Sequence, residues 1–151
     1  PTRDCSCSET KIQKYIGKIS GPLLDRIDIH IEVPAVSFND LESKKKEESS
    51  ADIKKRVDAA RKIQLERYKN DKIFSNSNLT PELLDKYCAL TPECNSILKM
   101  AFEKLGLSAR AHNRILKMAR TIADLAGSEN IAPAHIAEAV RYRALDRKFF
   151  I

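Results

Sequence analysis

Two arginines stand where a guanidinium could serve phosphate chemistry. Arg26 lies within Leu23-Leu24-Asp25-Arg26-Ile27-Asp28, at the entry to an alternating apolar run and between two carboxylates. A planar fork of five N–H donors suits the charge on a transferring phosphoryl group, and an arginine supplied from a neighbouring subunit accelerates such transfers by orders of magnitude. The competing interpretation is a salt bridge from Arg26 to Asp25 or Asp28, and the sequence leaves both open. Arg110 follows Ser108-Ala109 in the first turn of an expected helix, where exposed N–H groups and the helix dipole favour anions. It divides in the same way, between a phosphate contact and a solvated basic face. Arg114 and Lys117 follow at i+4 and i+7, and for these two a solvated face is the expectation.

Other reactive side chains carry less. Cys5-Ser-Cys7 supplies half of a tetrahedral four-ligand metal site, whereas Cys88 and Cys94 sit in apolar, helix-like text. No secretory signal pattern precedes them, so a disulfide framework is not expected. His30, His112 and His135 have no ligand-like spacing and are expected to be surface or packed residues. There is no Ser/His/Asp set and no carboxylate pair with a recognisable catalytic task.

The elements that must position Arg26 and Arg110 follow from periodicity. Residues 9–19 place Ile12, Tyr15, Ile16 and Ile19 at helical spacing, with Ser6 and Glu9 as a capping box, and Ser20-Gly21-Pro22 is expected to stop that helix. Ile27, Ile29, Ile31 and Val33 alternate with Asp28, His30 and Glu32 up to Pro34, which predicts a strand. A single strand cannot satisfy its own backbone groups. Its sheet is therefore expected outside this sequence, in a larger protein of which this chain is the C-terminal end. Residues 42–50 are charged and linker-like.

Ser49 opens a helix of about twenty residues with Ile53, Val57, Ala60 and Ile63 or Gln64 inward. Thr80-Pro81-Glu82 and Thr91-Pro92-Glu93 are two helix starts of one design, with a hydroxyl cap, proline in the first turn and an acid after it. Gly106 ends the second of these helices and Gly127 the next, which Ser108 caps and which buries Ala111, Ile115, Met118 or Ala119, and Ile122. A last helix starts near Pro133, with Ile136, Ala139 and Val140 inward. The fold expected is mainly α: the last helix and strand of an α/β core at 1–40, a linker at 41–50 and a helical bundle at 51–151.

Composition fits this. With 42% hydrophobic and 32% charged residues and no run of 18 apolar residues, the chain reads as soluble and cytoplasmic, without a membrane partner. Its 27 Lys+Arg against 21 Asp+Glu give a net charge of +6, compatible with nucleic acid or nucleotide phosphates as partners.

Two blocks, SGPLLDRIDIHIEVP and LGLSARAHNRILKMARTIADLAGSENIAPAHIAEAVRYRALDR, resemble the magnesium-chelatase-like AAA+ ATPases of the YifB/ComM type. The resemblance runs through almost the whole chain and is weakest over residues 35–95. It implies a ring, a hexamer of identical subunits, with ATP and Mg²⁺ bound between neighbours. Arg26 would then be the arginine finger reaching the neighbour's γ-phosphate. Arg110 would be sensor 2 on the subunit's own nucleotide, and the helices from about residue 50 would form the lid. It also implies a second cysteine pair upstream, which with Cys5 and Cys7 would make a four-cysteine zinc site. The sequence departs from the family pattern in having neither the G-x-x-x-x-G-K-[ST] phosphate loop nor the Walker B acid, so by itself it is expected neither to hydrolyse ATP nor to bind it tightly. The function implied is ATP-driven DNA branch migration or helicase activity in transformation and recombination. The alternatives are a chelatase-type motor inserting metal into a tetrapyrrole, and a non-catalytic helical adaptor or DNA-binding module.

Overall fold

The computed structural model describes residues 6–36, 38, 42 and 47–143. Half of the expected linker, residues 41 and 43–46, lies outside that description, as do residues 144–151 of the expected bundle. Seven α-helices and one 3₁₀ turn are described: α1 (Glu9–Ile16), α2 (Gly21–Leu24), α3 (Ser50–Arg67), the 3₁₀ turn Asn76–Asn78, α4 (Pro81–Tyr87), α5 (Pro92–Leu105), α6 (Ala109–Leu125) and α7 (Pro133–Arg141).

Helix α6 is the axis of the bundle. It buries Ala111, Ile115, Leu116, Ala119 and Ala123 along one stripe, and it packs against α3, the 3₁₀ turn, α4 and α7. The small residues Ala119, Ala123 and Ala139 let α7 lie close against it, since interhelical distance is set by the side chains at the contact. Tyr68, Leu84, Cys88, Leu98, Ile131 and Ile136 complete the core around this seam. Burial of side chains as complete as those of Ile115 and Ile136 contributes about 1.5–3 kcal/mol each.

Local chemistry sets the ends of these helices. Ser108 caps α6 by accepting the Ala111 N–H at 3.1 Å, and Ser49 and Thr91 do the same for α3 and α5 through Asp52 and Cys94. The two Thr-Pro-Glu starts are not of one design, however. Thr80 makes no capping bond and instead donates to the Glu82 carboxylate at 2.7 Å. Gly106 (φ 61°) ends α5 in the left-handed region. Gly127 (φ 66°) closes α6 in a Schellman turn, with Ser128 N–H on Ala123 O and Gly127 N–H on Asp124 O.

The N-terminal region departs from the sequence expectation. Residues 27–33 form no strand. No other segment among the described residues is a strand, so there is no ladder for them to join. Ile27, Ile29, Ile31 and Val33, the apolar side of the alternation, consequently stay exposed. Helix α1 ends at Ile16, is capped at Ser8 without a side-chain bond, and buries no residue, so the Ser6/Glu9 capping box is absent. Ser20-Gly21-Pro22 starts the single turn α2 instead of only ending α1, because proline is compatible with a helix's first turn. In α3 only Ala60 and Gln64 are buried. Ile53, Val57 and Ile63 keep helical spacing but meet no neighbour deep enough to cover them.

Candidate functional site

Residues 25–30 run across the N-terminal end of α6 and the C-terminal end of α7, and donors from those helices hold them there. The Ser108 hydroxyl that caps α6 also donates to the Asp25 carboxylate at 2.8 Å. Arg110 and Arg143 both approach Asp25 at 3.5 Å. Arg114 Nη1 donates to the Arg26 carbonyl at 2.6 Å and also to the Asp28 carboxylate. Arg143, 1% exposed, donates to the Ile27 carbonyl. The His30 N–H donates to the Tyr142 carbonyl at 2.8 Å. The backbone groups that a sheet would have taken are thus met in part by the helical bundle.

Each expected site residue can be placed against this clamp. Arg26 is exposed, and among the described residues neither Asp25 nor Asp28 pairs with it, because other arginines engage both carboxylates. Arg110 retains 54% side-chain exposure and only its long contact to Asp25, so most of its donors face solvent. It opens onto a groove of about 490 Å³ whose lining includes Ile29, Ser77, Asn113, Arg114 and Lys117. Arg110 thus reaches Asp25, the residue that precedes Arg26 in the chain. The expectation of a solvated face fails for Arg114 and Lys117. Arg114 is 25% exposed and holds residues 26 and 28, and Lys117 donates to the Ser77 carbonyl at 2.9 Å. Helical periodicity does not reveal that segments 40 and more than eighty residues upstream cover this face.

The cysteine pair expected to hold metal lies at the edge of the described residues. Cys5 lies outside the description and Cys7 is exposed. Among the described residues no three His, Cys, Asp or Glu side chains gather into a metal site. Asp25 and Asp28 face arginines, which is the wrong partner for a carboxylate ligand of Mg²⁺. The donors present suit phosphate oxygens. His112 packs edge-on against Phe102, and the His135 ring accepts the Ala132 N–H, so both are packed residues as expected.

A second cluster escaped the sequence analysis. Asp124, with no side-chain exposure, accepts from Arg67 at 2.9 Å, Arg120 at 3.1 Å and Asn76 at 2.9 Å. Arg120 also donates to the Ser128 and Glu129 carbonyls at 2.7 and 2.9 Å, and Tyr68 donates to Asn76 at 2.6 Å. Burial opposes the Arg67 charge, but hydrogen bonds and charge interactions with Asp124 and Tyr68 together outweigh it and hold the guanidinium above its usual range. Burial likewise pushes the nearby Cys88 thiol up to about 11. The missed signal was Arg120-x-x-x-Asp124 in register with the buried Ala119 and Ala123.

No described helix is long and apolar enough to cross a membrane. Residues 47–143 match the family described as magnesium chelatase, subunit ChlI C-terminal, and residues 1–41 match that described as magnesium chelatase, subunit ChlI. The chain is 40% identical over 141 residues to competence protein ComM of Haemophilus influenzae, covering 93% of this chain and 27% of that protein. It is 41% identical over 142 residues to the uncharacterized protein YifB of Salmonella typhimurium, with 93% and 27% covered. An uncharacterized protein of Mycobacterium tuberculosis is 29% identical over 144 residues, with 93% and 28% covered. The chain thus spans about a quarter of the length of these curated relatives.

Proposed function

The chain belongs to the magnesium chelatase subunit ChlI C-terminal family, and from that premise we propose that it is the lid end of a AAA+ ATPase of the ComM type. In the whole protein, identical subunits form a ring, a hexamer, that binds ATP with Mg²⁺ at each interface and drives branch migration of DNA. Arg26 serves the neighbouring subunit's nucleotide and Arg110 its own. In hydrolysis a bond forms from water oxygen to the γ-phosphorus and the bond to the β,γ-bridging oxygen breaks. The γ-oxygens carry the charge through the transition state, and an arginine beside them lowers the barrier.

The observation that supports this is the state of Arg26. A surface arginine between two aspartates would ordinarily pair with them. Here Asp25 and Asp28 are engaged by donors from α6 and Arg143, which leaves the Arg26 fork for an acceptor outside this chain. The basic surface and the likeness to a competence protein favour DNA as the substrate over a tetrapyrrole.

The test is ATP turnover by the full-length protein with and without branched DNA. Arg26→Ala should lower kcat by about 10³-fold or more while ATP affinity stays within about twofold. Unchanged turnover would reduce Arg26 to a surface residue. Stimulation by a porphyrin and not by DNA would move the protein to the chelatase class.

A further inference from the structure

We propose that Arg114 is a positioning residue for Arg26, and that through it the lid helix sets the reach of the finger toward the neighbouring subunit. This rests on the assignment of Arg26 as an arginine finger in trans.

The geometry is specific. Arg114 does not touch the Arg26 side chain. It donates to the carbonyl of Arg26 itself and to the carboxylate of Asp28, two residues further on. Arg143 takes the next carbonyl, that of Ile27, and Ser108 takes Asp25 on the other side. The peptide that carries Arg26 is therefore fixed before and after the residue while its guanidinium is left exposed. That is how a side chain is held ready for a ligand the chain does not itself provide.

The position of Arg114 along α6 adds the second half. It lies four residues after Arg110, on the same face and one turn away. The helix that bears the contact to the subunit's own nucleotide thus also bears the bond to the finger's peptide, with no flexible joint between them. The finger's peptide is thereby tied to a fixed point on that helix. Of the residues on that face, Arg114 alone bonds both to the Arg26 peptide and to a flanking carboxylate, so its loss should displace the finger while Arg110 keeps its place in the first turn.

Mixed rings of full-length subunits separate these roles. An Arg110→Ala subunit has a defective site of its own and a sound finger. An Arg26→Ala or Arg114→Ala subunit has the reverse. Each variant alone should be at least about tenfold slower than wild type. Arg114→Ala mixed equally with Arg110→Ala should regain about a quarter of wild-type turnover, the share of interfaces at which a sound finger meets a sound site in randomly assembled rings. Recovery in that mixture, matching the recovery of Arg26→Ala with Arg110→Ala, supports the proposal. If the Arg26 mixture recovers and the Arg114 mixture does not, Arg114 acts only within its own subunit and the positioning role is overturned. If neither recovers, the trans finger falls and this inference falls with it. Arg114→Gln, which retains bulk and one donor group, carries the same test if the alanine variant does not fold. Arg114→Lys, which keeps the charge, should restore part of kcat in unmixed rings.

Discussion

Helix α6 carries an arginine–aspartate cluster at each end, and the two are built differently. At its C-terminal end Asp124 is fully buried and accepts from Arg67, Arg120 and Asn76, while Arg120 spends its remaining donors on the carbonyls of residues 128 and 129. At its N-terminal end Asp25 and Asp28 stay partly in solvent, Arg110 makes one long contact, and Arg26 pairs with neither. The contrast lies in how many donors remain free. A closed set of partners in low dielectric fixes a fold, whereas an open set at the surface retains capacity for an incoming anion.

The sharpest way to break this contrast is to truncate both aspartates. Asp124→Ala leaves two guanidiniums without their counter-ion and should cost about 3–5 kcal/mol of stability, read as a fall in the urea midpoint. A loss no greater than that of Asp28→Ala would show that the buried cluster is not structural. Gly127→Ala forces an L side chain into the left-handed conformation of the turn that presents Ser128 and Glu129 to Arg120. It should cost about 1–2 kcal/mol in the same measurement.

Cys88 sharpens the point by pH. Its folded pKa of about 11 exceeds an unfolded value of about 8.5. The folded state therefore keeps its proton where the unfolded chain releases it. The thiol's contribution is complete below about 8.5 and is lost as pH rises toward 11. Stability should drop by about 1 kcal/mol between pH 8 and 9.5, and Cys88→Ala should flatten that slope. The smallest effect is expected at the open end. Asp28→Ala should change stability by about 0–1 kcal/mol, and by less in high salt.

What was legible in the sequence follows the same division. Ser49, Thr91 and Ser108 announced their helices, and Gly106 and Gly127 their ends, because capping is decided within a few residues. The inward stripe of α6 was legible for the same reason, since Ala111, Ile115 and Ala119 recur at the helical period. The strand at 27–33 was not, because a strand exists only with a partner and the alternation says nothing of where one is. Thr80 looked like Thr91, yet its hydroxyl turned to Glu82, a competition among neighbours that a motif does not weigh. Arg26 and Arg110 were marked by their settings, but Arg114 and Asp124 were not. Each depends on a residue far along the chain: Arg26 and Asp28 for one, Arg67 for the other.

The sequence separation of the clamp has a kinetic consequence. Arg67 meets Asp124 across 57 residues, whereas Ser108 and Arg143 reach Asp25 across 83 and 118. Longer loops cost more entropy to close, and contacts of this range form after local ones reward them. The bundle α3–α7 is thus expected to fold as one cooperative unit onto which residues 25–30 dock last. In the native ensemble the order reverses, and the segment docked last opens first. The His30 amide, which donates to the Tyr142 carbonyl, should exchange its hydrogen well ahead of the amides in the middle of α6.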